Sequence, residues 1–306
     1  MKKLKQQNRK TTMFKFKRTA TPYLYLAPTM VLFFALMLVP VVTVVGYSFF
    51  DNVIMNRHPV FDGLNNYRMI LTDPVFYESL LNTAIFVGMS VVAHITLGMF
   101  FALLLNSSLL HAIPKAIYRV IYIIPWVFTV SIIAVLWRLL LNPNGVITYF
   151  LNVLGTVQGH IDWLGSRDTA LGVVTFVNIW SGYPFYLVSI LAGLQGISNQ
   201  LYEAATVDGA GTFQKLVFIT IPQLKPILMS LTILDCIWTT QQYALVWMLT
   251  GGGPVHATEM ISTYTYKLAF SSYEFSRASA SAVIVLMISL LLIFLYVKAQ
   301  KAREST

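Results

Sequence analysis

Residues 23–50 read YLYLAPTMVLFFALMLVPVVTVVGYSFF, twenty-eight positions without one charged side chain. A helix rises about 1.5 Å per residue, and the hydrocarbon layer of a bilayer is about 30 Å thick, so about 20 apolar residues suffice to cross it. This run exceeds that length. It also exceeds the apolar core of a secretory leader, and no small-x-small cleavage pattern ends it, so it is expected to be a retained first span. Five further apolar segments follow, at about 80–105, 117–141, 170–194, 227–250 and 278–297. The expectation is an all-α membrane bundle of about six helices. Pro40, Pro125 and Pro184 lie inside these segments. Neighbouring helices, waters and hydroxyls satisfy the backbone groups that a proline frees in a bundle. Each proline is read either as a fixed kink or as a bend that shapes a pathway.

Composition agrees. Of 306 residues, 57% are hydrophobic and 11% charged, far below the quarter or so that soluble domains carry. The net charge of +9 would raise nucleic acid as a partner for a soluble protein. Here Lys2, Lys3, Lys5, Arg9, Lys10, Lys15, Lys17 and Arg18 crowd the N-terminus instead, which reads as a basic cytoplasmic flank over 1–22. No basic face with interleaved aromatics is found elsewhere, so no nucleic-acid role is expected. With six spans both ends share one side. That side holds the tail, Lys115, Arg119, Lys215, Lys225, Lys298, Lys301 and Arg303, fifteen of the twenty-one Lys and Arg residues. The positive-inside bias then puts both termini in the cytoplasm, with 298–306 as a short C-terminal tail.

Cys236 is the one cysteine, so an internal disulfide is excluded; it reads as a small buried hydrophobe. His58, His94, His111, His160 and His256 are too scattered to suggest a metal site. No nucleophile–base pairing and no His-Glu-x-x-His motif is present. Gly251-Gly252-Gly253 lacks the Gly-Lys-Ser/Thr of a phosphate loop. An enzyme is therefore not expected, and no cofactor or metal is assigned to this chain.

The segments joining the spans differ in kind. Residues 51–79 and 142–169 are rich in Asn, Asp, Gly and Pro and read as external loops. Residues 195–226 show helical spacing instead. Leu201 to Val207 suits a short helix, with Ala204 and Ala205 giving it a small-residue side. Gly209 and Gly211 are placed to stop it. Thr212 is placed to cap a second short helix, with Pro222 closing it before the next span. The stretch is similar to the coupling loop of binding-protein-dependent importer permeases of the ATP-binding-cassette class. That pattern is Glu-Ala-Ala, three residues, Gly, nine residues, Ile, one residue, Leu, Pro. Glu203, Ala204, Ala205, Gly209, Ile219 and Pro222 match it, and Ile221 replaces the Leu.

The likeness covers nearly the whole chain. Phe61-Asp62-Gly63-Leu64-Asn65-Asn66-Tyr67, Pro125-Trp126 and Leu136 to Pro143 resemble segments of the sugar-importer branch. Leu249-Thr250-Gly251-Gly252-Gly253-Pro254 does too, and points to the first, maltose-type permease of the usual pair. The resemblance implies a permease domain over 23–297 with its coupling loop at 199–223. Glu203, Ala204, Ala205, Asp208 and Gly209 would contact the ATPase. It also implies a second permease, two ATPase subunits carrying the ATP and Mg, an extracytoplasmic sugar-binding protein, and a bacterial inner-membrane location. A passive channel is the contrasting class, and it has no use for such a loop.

A sugar in transit needs polar partners inside the membrane. Polar residues concentrate in the fifth segment, at Asp235, Trp238, Gln241, Gln242 and Tyr243, and in the fourth at Asn178 and Tyr183. Amides exchange hydrogen bonds with hydroxyls, and aromatic faces stack on sugar rings. Hydrogen bonding between spans would use the same residues, and both readings stay open. If the fifth segment is one helix, Asp235, Trp238 and Gln242 share a stripe while Gln241 and Tyr243 fall off it. The scarcity of charge in the spans suits a neutral sugar. A sugar acid or phosphorylated polyol would need a counter-ion such as Arg138 or Lys267.

Overall fold

The computed structural model describes residues 21–107, 111–156 and 159–304, so most of the basic tail lies outside the described residues. All regular elements among them are helical. They are α1 (Thr21–Tyr47), α2 (Asn65–Thr72), α3 (Pro74–Asn106), α4 (Ala112–Val127), α5 (Val130–Leu140) and α6 (Val146–Val153). They continue as α7 (Arg167–Gln195), α8 (Asn199–Val207), α9 (Thr212–Thr240), α10 (Ala244–Leu249), α11 (Ile261–Phe270) and α12 (Phe275–Glu304).

Each of the six apolar segments is helical, but two are broken. α1, α3, α7 and α9 are each long and apolar enough to cross a membrane. The 117–141 segment is instead a pair of helices, α4 and α5, bent by 97°. Phe128 and Thr129 take extended backbone between them, with ψ of 144° and 152°. The 227–250 segment stops at Thr240, turns through Gln241–Tyr243 and restarts as α10. The last helix, α12, runs on to Glu304.

The second helix expected in the coupling loop is not separate. It runs into the next span as α9, with Gly211, not Thr212, at its N-cap. Pro222 does not close it. A π-turn at Leu216–Thr220 precedes the proline, and the Ile221 amide reaches back five residues to the Leu216 carbonyl. Such an insertion shifts the ladder and lets the helix pass a residue without an N–H.

Two glycines set the central helix pairing. A Cβ on Gly98 of α3 would lie 2.4 Å from the Cβ of Tyr186 on α7. A Cβ on Gly182 of α7 would lie 2.4 Å from Nε2 of His94 on α3. Small residues let membrane helices approach where no hydrophobic effect drives them together. Apolar clusters pack on either side of this crossing. One joins Phe86, Trp137, Val174, Val177 and Leu245. The other joins Leu105, Tyr183, Leu187, Ile190 and Leu224. His94 lies between them along α3, and Asn178 and Gly182 lie between them along α7.

Candidate substrate cavity and coupling loop

Between the two apolar clusters lies a cavity of about 270 Å³. Its walls come from both broken segments. Pro125, Trp126, Phe128 and Val130 line it from the α4–α5 bend, and Asp235, Trp238, Thr239 and Gln242 from the end of α9. α7 adds Asn178, Ser181, Gly182, Phe185 and Tyr186, and α3 adds His94. Discontinuous helices that meet inside the bilayer are a recurrent way to build a transport site, because the break leaves backbone and side-chain polar groups facing a cavity.

Two kinds of surface face this space. Trp126, Phe185 and Trp238 form an aromatic row, with ring centroids 6.0 Å and 5.6 Å apart. Opposing them is a polar layer. Asp235 is buried, and its Oδ2 lies 2.7 Å from Nδ1 of His94. The Tyr186 hydroxyl is shared between the same oxygen at 3.0 Å and the Leu231 carbonyl at 3.1 Å, and the Thr239 hydroxyl donates to Oδ1 at 2.9 Å. Nε2 of His94 is 3.2 Å from the Asn178 carbonyl, and the Asn178 amide donates to Oγ of Ser90 at 2.9 Å. An ionisable group inside a span is costly unless paired, and this layer supplies the pairing.

Of the predicted site residues, Asp235, Trp238, Gln242 and Asn178 come together at the cavity. Gln242 joins them by a different route from the one expected. The helix has ended, and its amide bonds to the Thr239 carbonyl at 3.2 Å, folding the chain back toward the cavity. Tyr183 is not part of the wall; it is buried in the apolar cluster against Phe101 at 5.4 Å. Tyr243 stacks on Trp247 and Tyr266. Gln241 is exposed and off the lining. Arg138 and Lys267 also stand away from it. Arg138 donates to the Met248 carbonyl, and Lys267 pairs with Glu259. Sequence reasoning left both His94 and Tyr186 out of the site. The available signal was an ionisable side chain inside the second apolar run.

The coupling loop has a defined geometry. α8 starts at Ser198, whose hydroxyl accepts from the Gln200 amide. It ends in a Schellman motif: the Ala210 amide bonds to the Ala205 carbonyl at 2.8 Å and the Gly209 amide to Thr206 at 3.1 Å. Gly209 is at φ +79°, the left-handed backbone that this stop requires. Nζ of Lys215 donates to Oγ1 of Thr206 at 2.7 Å, and the Tyr202 hydroxyl meets that of Thr220 at 2.9 Å. These bonds brace α8 against the start of α9. Glu203, Ala204, Asp208 and Gly209 are exposed, Ala205 is half-buried, and Val207 and Phe213 stand out at 89% and 76% exposed.

Residues 94–303 match the family model described as binding-protein-dependent transport system inner membrane component. The chain is 33% identical over 278 residues to the probable ABC transporter permease YurN of Bacillus subtilis, covering 90% of this chain and 94% of that one. It is 32% identical over 300 residues to the trehalose/maltose transport system permease MalF of Thermococcus litoralis, covering 97% and 99%. Its fold matches a chain of a bacterial ABC transporter involved in import of the acidic polysaccharide alginate, with TM-score 0.82, 21% identity and coverage of 95% and 99%. The architecture is thus that of an ABC permease membrane domain. The chain belongs to the binding-protein-dependent transport system inner membrane component family.

Proposed function

We propose that this chain is one of two permease subunits in an ATP-driven importer that takes up a neutral carbohydrate. The observation that carries the reading is α9. It runs unbroken from the coupling loop to the cavity, about 43 Å at 1.5 Å per residue. A displacement at Glu203–Gly209 is thereby passed to Asp235 and Trp238. ATP and Mg would be held by two separate ATPase subunits docked at the loop. A second permease would complete the pathway, and an external binding protein would deliver the sugar. Permease relatives named for maltose and for lactose, the latter from Rhizobium radiobacter at 30% identity, support a carbohydrate cargo. The cavity supports it chemically. Aromatic faces suit the C–H faces of a sugar ring, and amides and hydroxyls suit its rim. Lys and Arg are absent from the described lining, which favours an uncharged sugar.

Two experiments test this reading. Reporter fusions after Asp62 and after Gln214 should report opposite sides of the membrane, with Gln214 cytoplasmic. The same side for both would remove the topology. In the complete importer, reconstituted with its binding protein, Gln242→Ala should lower sugar uptake about five- to tenfold, roughly the worth of one polar contact, with the complex still assembled. Unchanged uptake, or a loss of assembly in its place, would make Gln242 a structural residue.

A further inference from the structure

The Asp235 carboxylate has about four acceptor positions, two on each oxygen. Oδ2 takes Nδ1 of His94 and shares the Tyr186 hydroxyl with the Leu231 carbonyl; among the described residues Oδ1 takes only the Thr239 hydroxyl. One acceptor is left, on Oδ1, in a side chain that lines the cavity. We propose that His94 is the positioning residue of this cavity: by occupying Oδ2 it fixes the rotation of the Asp235 carboxylate, so that the open acceptor on Oδ1 meets one hydroxyl of the transported sugar. The proposal rests on the carbohydrate reading above and goes beyond it in naming what selects the sugar.

The geometry leaves His94 little other freedom. Both ring nitrogens face acceptors, the Asp235 carboxylate and the Asn178 carbonyl. The ring is wedged against Gly182, where a methyl group would collide with it, and lies 5.7 Å from the Tyr186 ring. Its side chain is 3% exposed. His94 therefore has its polar atoms engaged within the protein and acts through Asp235. A carboxylate whose open site is fixed rewards a hydroxyl at one ring position and repels a carboxylate or sulfonate at that position. No lysine or arginine is among the described lining residues.

The test uses the complete importer in liposomes. Neutral sugars and polyols are screened on the wild type first, and monodeoxy analogues of the transported sugar are then compared. The wild type should transport one analogue at least about tenfold less well, the scale of a hydrogen bond to a charged group. His94→Leu should shrink that discrimination below about threefold while the complex still assembles. His94→Gln, which keeps one neutral donor, should fall between. Should His94→Leu give no complex, His94→Gln decides alone: partial loss of discrimination supports the assignment, and wild-type discrimination overturns it. Equal failure of assembly in both variants overturns it as well, since His94 is then only structural. A wild type that treats all the analogues alike removes the fixed acceptor. If the wild type moves no sugar or polyol, the carbohydrate reading falls and this proposal with it. Full discrimination in His94→Leu sinks this proposal alone.

Discussion

Gly209→Glu is expected to cut sugar uptake at least a hundredfold while leaving insertion into the membrane intact. The position has φ +79° and open space where a Cβ would be built. Nothing lies within 4 Å of the new Cβ, and the cost arises in two other ways. A non-glycine residue in left-handed backbone is strained by about 1–2 kcal/mol, which loosens the Schellman stop holding α8 to α9. More important, the carboxylate projects from the exposed end of α8, beside small Ala204 and Ala205, on the surface read as the ATPase dock. Gly209→Asn separates the two effects. Asparagine tolerates left-handed backbone better than most residues, so it should keep the turn and lose less transport than glutamate does. The measurements are sugar-stimulated ATP hydrolysis in the complete importer and the amount of protein in the membrane fraction. Full stimulation in Gly209→Glu would remove this loop from the coupling path.

The helical class and the short helix that stops at Gly209 were legible in the sequence for clear reasons. Apolar length is a one-dimensional quantity, and membrane insertion depends on it directly. Glu203 to Pro222 is a local hairpin whose stop is written in one residue, Gly209. What sequence reading lost was tertiary. Nothing in the hydropathy of 117–141 shows that two residues, Phe128 and Thr129, leave the helix and bend it by 97°. Pro222 read as a terminator because proline breaks an ordinary ladder, but the π-turn before it re-registers the ladder instead. Gln242 was placed on the right surface through a helix that had already ended. Tyr183 and Tyr186 sit three apart on the same span. One enters an apolar cluster and the other reaches Asp235, and only the neighbouring helices decide which does which. His94 and Asp235 are separated by 141 positions, so no local pattern pairs them.

Lys267→Met should be the most destabilising single change at the end of the bundle opposite the coupling loop. Lys267 was a candidate counter-ion for an acidic sugar; the structure commits it to a different carboxylate. Thr263 and Lys267 lie four residues apart on one stripe of α11, and Glu259 immediately precedes the helix's N-cap, Met260. Glu259 is 0% exposed. Its Oε2 pairs with Nζ of Lys267 and lies 3.3 Å from Nδ1 of His256, and its Oε1 accepts from the Thr263 hydroxyl at 2.6 Å. The loop over it is built to this group. A Cβ on Gly252 would lie 2.6 Å from Oε2, and the Asn82 amide on α3 donates to the carbonyls of both His256 and Glu259. Close by, the Tyr264 hydroxyl donates to Asp73 at 2.7 Å, and burial together with that bond raises it above the usual phenol range. Removing the lysine charge leaves a buried carboxylate without its close cation, a change that costs about 3–5 kcal/mol. Glu259→Gln should cost less, about 1–2 kcal/mol. Its stranded partner, Lys267, has a side chain already 33% exposed and reaches water with its ammonium. The double variant Glu259→Gln/Lys267→Met should accordingly be more stable than Lys267→Met alone, since no buried charge is left unpaired. Thermal midpoints of the purified protein in detergent would order the three. If Lys267→Met and Glu259→Gln melt together and the double variant is the least stable, the ion pair does not hold this loop, and the Asn82 and Thr263 hydrogen bonds carry it instead.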